Sequence, residues 1–283
     1  MISIIICSRE TTINTNLTEN IQETVGCDYE LIVIDNSKKD HSIFEAYNLG
    51  LNRSKGDFIC FLHDDIFIQT YNWGKIVEEI FLTNPKIGLL GIAGGKIKTK
   101  MPSAWWDGGG NALLIVQHYK NKPHELWNQG FIASVIVEVA AIDGVFMVMR
   151  KDDKIRFDER LKGFHNYDLN LSILIHKEGK KVLVTNKILI EHFSEGNQDK
   201  SWYESTSLFH KLYKNNLPIV KDNCYKIDQL KNKEFTVGYI FITKLIEYKL
   251  YKEAIYWWFQ ILLLKPKSKS HFRFLKKIFF SKY

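Results

Sequence analysis

The stretch Gly56–Ile66, GDFICFLHDDI, drives an apolar run, Phe58–Leu62, straight into His63, Asp64 and Asp65. An ionised carboxylate near a low-dielectric interior costs several kcal/mol unless it is paired or binds a cation. Such a run is either a strand followed by a solvated acidic turn or the edge of a site. At the carboxyl end of a parallel strand, where ligands collect in open α/β sheets, the carboxylate pair suits a divalent metal ion. Two earlier runs share the arrangement. Ile2–Cys7 (ISIIIC) gives way to polar residues from Ser8, and Glu30–Ile34 (ELIVI) ends in Asp35, Asn36 and Ser37. The first run is too short for a signal peptide or membrane helix. Short β-branched runs separated by helically patterned segments, here Asn16–Thr24 and Ile43–Asn52, predict βαβ units and a parallel sheet. Ser37–Lys39 supplies the expected N-cap of the second helix.

The 283 residues, 45% of them hydrophobic, suffice for a sizeable core and one large domain with an appendage. The four cysteines, Cys7, Cys27, Cys60 and Cys224, have no metal-finger spacing and read as reduced thiols of a cytoplasmic chain. The apolar stretch Ala254–Leu264 is too short to span a bilayer.

Charge is unevenly placed. The seven cations of Lys265–Tyr283, with no acid among them, account for the whole net charge of +7 and leave 32 basic against 32 acidic residues elsewhere. That balance argues against nucleic acid as a partner. Within the tail, Phe272, Leu275, Ile278 and Phe279 fall on one helical arc and Arg273, Lys276 and Lys277 on the other. This is the pattern of a helix lying peripherally on the anionic inner face of a membrane, or of a helix packed on the domain with a solvated basic face. Upstream, LIEYKLYKEAIYWWFQILLLKP matches half of a tetratricopeptide repeat, with Ala254 as its small contact residue. One repeat cannot bury its own face, so a helical hairpin docked on the main domain, available for a homodimer contact, is expected.

ISIIICSRE, ELIVIDNS and AYNLGLNRSKGDFICFLHDD together resemble the nucleotide-binding half of a family 2 glycosyltransferase of the GT-A fold. AIDGVFMVMRKD (Ala141–Asp152) and FDERLKGFHNYDLNLSILIHKEGKKVLV (Phe157–Val184) resemble its downstream segments. The resemblance covers about residues 1–200 and is nearest to a bacterial branch with FLHxD in place of FLDDD. It implies a Rossmann-like three-layer α/β/α sandwich. Residues 1–222 form the catalytic domain, nucleotide-binding to about residue 100 and acceptor-binding beyond, and 223–283 a helical extension. It also implies transfer of a hexose or N-acetylhexosamine from a nucleoside-diphosphate donor, most simply a UDP-sugar, to a glycan, lipid-linked or protein acceptor of a bacterial surface, with Mn²⁺ or Mg²⁺.

The resemblance assigns roles residue by residue. Asp65 holds the last place of the D-x-D frame and becomes a metal ligand. His192, in the ILIEHFSEG segment (Ile188–Gly196) where a strand ends in a polar cluster, is either a further ligand or a structural histidine. Asp64 orients the ribose or sugar; His63 either bonds the ribose or turns inward as a packed ring. Asp35 reads the uracil or ribose, or serves only an Asx-turn. Ser8 and Arg9 face base and phosphate, and Asn48 holds the loop carrying Asp35. Asp143 and Gly144 interrupt an apolar stretch and belong to the donor-sugar or acceptor side. Trp105 and Trp106 offer flat faces to an acceptor sugar, or anchor a loop.

Two departures from the family pattern stand out. The first Asp of D-x-D is His63, and the Glu-Asp pair before x-D-L is His165-Asn166. An amide cannot serve as base, so the role passes to Asp168 or His165. Asp168 opens an apolar helix whose dipole is expected to lower its pKa, or it merely caps that helix. A catalytically silent nucleotide-sugar-binding or scaffold protein is the alternative.

Overall fold

The structure, a computed structural model, describes residues 1–221 and 225–280, the side chains of 279 and 280 excepted. Cys224, the 222/223 boundary and the Phe279 side chain therefore lie outside the described residues. Strands β1 (Ile2–Ser8), β2 (Tyr29–Asp35) and β3 (Phe58–Leu62) run parallel, joined by α1 (Thr15–Thr24) and α2 (Ile43–Arg53). Their β-branched residues suit a sheet centre covered on both faces, and β3 is buried along its whole length. The N-cap of α2 is Ser42, not a residue of Ser37–Lys39. Ser42 Oγ accepts the Glu45 amide and the Glu45 carboxylate accepts the Ser42 amide at 2.8 Å, closing a capping box. Ser37 instead donates its amide to Asp35 Oδ1 at 2.9 Å in an Asx-turn.

The chain continues through β4 (Ile66–Ile68), α3 (Trp73–Thr83), β5 (Ile87–Gly91), β6 (Ala93–Gly95), β7 (Ile97–Lys98), β8 (Asn111–Gln117) and β9 (Glu125–Gln129). It then forms β10 (Ile136–Glu138), β11 (Ala141–Ile142), β12 (Phe146–Arg150), α4 (Tyr167–Lys177), β13 (Lys181–Thr185) and β14 (Ile190–His192). Last come α5 (Lys200–Leu212), β15 (Ile219–Val220), α6 (Ile227–Glu247), α7 (Tyr251–Leu264) and α8 (Ser270–Phe280). The main sheet has the order β10-β13-β5-β12-β3-β1-β2. Because β2 and β3 flank β1 on opposite sides, the strand order reverses at β1, and the crevice of such a sheet opens at the carboxyl ends of β1 and β3. The sheet is not wholly parallel: β12 runs antiparallel between β3 and β5. It enters from a second sheet, β11-β6-β8-β14-β4, so its first residue, Phe146, sits opposite the last residue of β3, Leu62.

A separate core joins the C-terminal helices to the main domain. Ala254, Trp257 and Ile261 of α7 pack with Phe241, Ile242 and Leu245 of α6, and the cluster takes in Met101 and Tyr203 of the main domain. Glu234 of α6 accepts the backbone amides of Lys100 and Met101, each at 2.7 Å. Beneath that turn lies Lys98, fully buried, whose Nζ donates to Ser103 and lies 3.0 Å from His210 Nε2. The His210 ring has Nδ1 3.0 Å from the Lys100 carbonyl, so the proton sits on Nδ1 and Nε2 accepts.

Burial lowers the Lys98 pKa to about 7. Between that value and the ordinary lysine range the unfolded chain binds a proton that the folded chain does not, so this group makes stability rise with pH. The buried thiol of Cys60 acts in the opposite sense, its pKa being raised by burial. A difference measurement isolates the lysine: the stability of wild type relative to Lys98→Met should grow from pH 7 to about 10. Denaturant unfolding across that range checks it, and a pH-independent difference would refute it.

Candidate metal and donor site

His63, Asp65 and His192 offer one ligand atom each within 4.8 Å of one another. Asp65 Oδ1 lies 3.6 Å from His63 Nδ1 and 3.6 Å from His192 Nε2. The elements bring them together simply. His63 and Asp65 follow β3, and His192 ends β14, which pairs with β4 immediately after Asp65.

Neighbouring residues fix both imidazoles. Gln117, paired with His192 in the β8–β14 ladder, donates its amide to the Ser194 and His118 carbonyls at 2.9 and 2.8 Å. Its Oε1 is thereby turned to His192 Nδ1, 3.1 Å away. An acceptor there holds a proton on Nδ1 and turns Nε2 toward Asp65. His63 Nε2 lies 2.5 Å from the Tyr167 hydroxyl, which leaves Nδ1 for the cluster. Tyr167 reaches it across Gly144, where a Cβ would stand 2.2 Å from the hydroxyl. Gly144 is thus needed for passage of a side chain.

Charge is concentrated here. The bonds from His192 and His63 outweigh burial and hold Asp65 far below the usual carboxylate range. Burial disfavours the charged His63 ring, but Asp65, Asp143 and Asp64 outweigh it and raise its pKa. Asp64 accepts from Ser8 Oγ at 3.1 Å and from the Arg9 amide at 3.4 Å. The exposed Arg9 guanidinium lies 3.8 Å from Asp65 and 3.9 Å from Asp64. Two imidazole nitrogens and one carboxylate oxygen, with both rings held in orientation, fit a divalent transition metal.

Asp143 bridges the site and the loop before β8. Its Oδ2 accepts Trp105 Nε1 at 2.8 Å and its Oδ1 accepts the Val145 amide at 2.8 Å. Trp105 is consequently buried, which corrects its expected role as a sugar platform; Trp106, edge-on to it, keeps an exposed face. Asp168 lies partly exposed in the first turn of α4. The dipole expectation fails: burial and the nearby Asp143 carboxylate push its pKa up to about 7.

Other residues fall elsewhere. Asn48 does not hold the Asp35 loop. Its amide is fully engaged with the Phe157 backbone and Glu159, at 2.8–2.9 Å. The loop is closed by Asn36, whose amide group and carbonyl bond the His41 backbone. Ser8 is buried under Asp64 and cannot face a base. Asp35, exposed, sits beside Ser8 at the strand ends, one oxygen held by Ser37. His165 points to the start of α5, 3.1 Å from Ser201 Oγ, and bonds no member of the cluster. Gln117 and Tyr167 escaped the sequence reading. Tyr167 lay within the recognised x-D-L segment, but nothing in the sequence marks Gln117.

A main sheet switched at β1, a small second sheet and a carboxylate–histidine cluster between them define the GT-A class of fold. The structure matches GalNAc-T7 with UDP, GalNAc and Mn²⁺ at a TM-score of 0.51 and 11% identity, over 75% of this chain and 47% of that one. S. aureus TarS matches at 0.48 and 13% identity, over 86% and 48%. The TarS 1–349 fragment in complex with UDP-GlcNAc matches at 0.44 and 14%, over 85% and 80%. The chain thus spans about half the length of the GalNAc-T7 chain. No curated protein matches it in sequence. Residues 3–222 match the glycosyltransferase-like family, and the chain belongs to that family.

Gln117→Met, which removes the acceptor at His192 Nδ1, should weaken Mn²⁺ binding about 10–100-fold. Titration calorimetry with Mn²⁺ alone checks this; unchanged affinity would remove His192 from the ligand set.

Proposed function

We propose that the protein is a metal-dependent, inverting glycosyltransferase that moves a hexose or N-acetylhexosamine from a UDP-sugar to a hydroxyl of a glycan, lipid-linked or protein acceptor, in the building of a bacterial surface glycan. One observation carries this reading: the His63–Asp65–His192 cluster and the partly exposed, near-neutral carboxylate of Asp168 converge at the carboxyl ends of β1 and β3. Family membership and the UDP, GalNAc and Mn²⁺ of the GalNAc-T7 structure support it.

Breaking the anomeric C–O bond leaves charge on the departing diphosphate. His63, Asp65 and His192 would hold a divalent cation that supplies Lewis-acid neutralisation of that charge. Their two imidazoles favour Mn²⁺ over Mg²⁺, which prefers an all-oxygen shell. Arg9 adds an exposed positive charge at the same edge. Asp64, braced by Ser8, turns its remaining lone pairs to the ribose, and Asp35 presents its free oxygen to the base or ribose. Trp106 supplies an exposed ring for the acceptor sugar. Asp168 accepts the acceptor's hydroxyl proton as the new C–O bond forms on the face opposite the leaving diphosphate. Only the ionised form can do so. With its pKa pushed up to about 7, the rate should rise with pH along an acid limb at or below neutrality, since a bound cation favours ionisation.

The test is release of nucleoside diphosphate from a panel of UDP-sugars with Mn²⁺. Asp65→Ala should abolish Mn²⁺-dependent UDP binding, and Mg²⁺ should replace Mn²⁺ poorly. Asp168→Asn should cut turnover on the order of 10²–10⁴-fold with the donor KM little changed. Mn²⁺-dependent UDP binding without release from any donor would point instead to a silent binding protein. Wild-type release undiminished by chelator would overturn the metal assignment.

A further inference from the structure

The C-terminal helices leave two apolar arcs exposed, and in that of α8 the sequence pattern misplaced one residue. In α8 the inward seam is His271 and Phe274, with Ile278 packed against the same core. Phe274 stacks on Trp258 of α7, their rings 5.1 Å apart and 9° from parallel, so α7 and α8 form one packed unit. Ile278, expected on the outer arc, therefore faces the protein. Phe272 remains 79% exposed and Leu275 36% exposed, among the exposed Lys269, Arg273, Lys276 and Lys277. In α7, Ile255, Phe259 and Leu263 recur every fourth residue at 41%, 52% and 79% exposure. A spacing of four makes a continuous stripe along a helix.

Large apolar side chains in a row on a helix cost solubility unless something covers them. The charges decide what does. From Tyr251 to Ile278 the only acid is Glu253, against seven Lys or Arg residues. A second copy meeting this surface face to face would oppose cations to cations, with Glu253 the one carboxylate these two helices offer. A lipid surface bearing negative headgroups answers both features, taking the rings into the interfacial region and the ammonium groups at the phosphates. No described helix is long and apolar enough to cross a membrane, so the contact lies in the surface plane.

We propose that α7 and α8 dock the protein on an anionic bilayer, with Phe272, Leu275, Phe259 and Leu263 in the interface and Lys269, Arg273, Lys276 and Lys277 at the headgroups. This surface lies beyond residue 222, outside the match to the family. The inference stands on the helices alone and does not rest on the proposed catalysis.

The test is flotation of the full-length protein with vesicles of phosphatidylcholine containing 30% (~) phosphatidylglycerol or none, at low and high salt. Binding is expected only to the anionic vesicles and should weaken at least several-fold at high salt. Phe272→Ser with Leu275→Ser, Phe259→Ser with Leu263→Ser, and Lys276→Glu with Lys277→Glu should each reduce it several-fold. All six positions are exposed, so the circular dichroism spectrum and Mn²⁺ binding should be unchanged, which separates this result from failure of the active-site reading. No flotation with anionic vesicles at low salt overturns the proposal. So does flotation that any one of the three paired substitutions leaves intact. Sedimentation showing a dimer that these substitutions dissolve would assign the surface to a second copy instead.

Discussion

The antiparallel pairing of β12 with β3 is the interaction on which the site depends. It continues one residue past the strand, where the His63 amide donates to the Val145 carbonyl at 3.3 Å. Because β12 begins where β3 ends, the turn before it, Asp143-Gly144, is delivered to the mouth of the crevice. Gly144 then leaves room for Tyr167 to reach His63, which draws the first turn of α4, and with it Asp168, to the same place. Cluster, tryptophan loop and candidate base thus share one backbone register. A one-residue slip would send each buried side chain of β12 to the opposite face of the sheet and move Asp143 and Gly144 relative to the end of β3.

That convergence gathers Asp64, Asp65, Asp143 and Asp168 around a crevice whose nearby cations are an exposed arginine and an ionisable imidazole. The raised pKa values of Asp168 and His63 share one contributor, the Asp143 carboxylate: added to burial, it repels a negative charge on Asp168, and with Asp65 and Asp64 it attracts a proton to His63. Protons relieve that repulsion, and a divalent cation relieves it better. The same electrostatics that suits the place to a metal ion keeps Asp168 poised near neutrality.

Parts of this were legible in the sequence because they depend on local pattern. The ends of β1, β2 and β3 show as apolar runs meeting polar residues, and Asp65 and His192 follow from their places after strands. What was illegible depends on tertiary contact. β6, β7 and β11 have two or three residues each, too few for any periodicity to show. Asn48 and Asn36 exchange the roles expected of Asn48, since either amide can close a turn and only the fold decides which turn is near. For Asp168 the helix dipole, worth about 0.3–1 kcal/mol, was set against unseen neighbours. Burial and Asp143 shift it from 3.8 to about 7, on the order of 4 kcal/mol, so the dipole loses.

Asn166 shows why the departure from the family pattern is not simply a missing base. Its backbone is left-handed at φ 65°, a conformation asparagine tolerates, and its side chain is buried against α5. The amide donates to Ser205 Oγ at 3.0 Å and to Thr206 Oγ1 at 3.2 Å, and its carbonyl accepts from Thr206 at 3.2 Å. A carboxylate in that position would lose both donated bonds and carry a charge into a buried contact. The residue therefore ties α4 to α5, and the sequence that spends position 166 on packing leaves Asp168 as the acid at the head of the helix. Since α5 also receives Trp257 through Ser207, the bond at Asn166 links the first turn of α4 to the C-terminal helices. Helix α4 is held from both sides, by Tyr167 at the crevice and by Asn166 at α5.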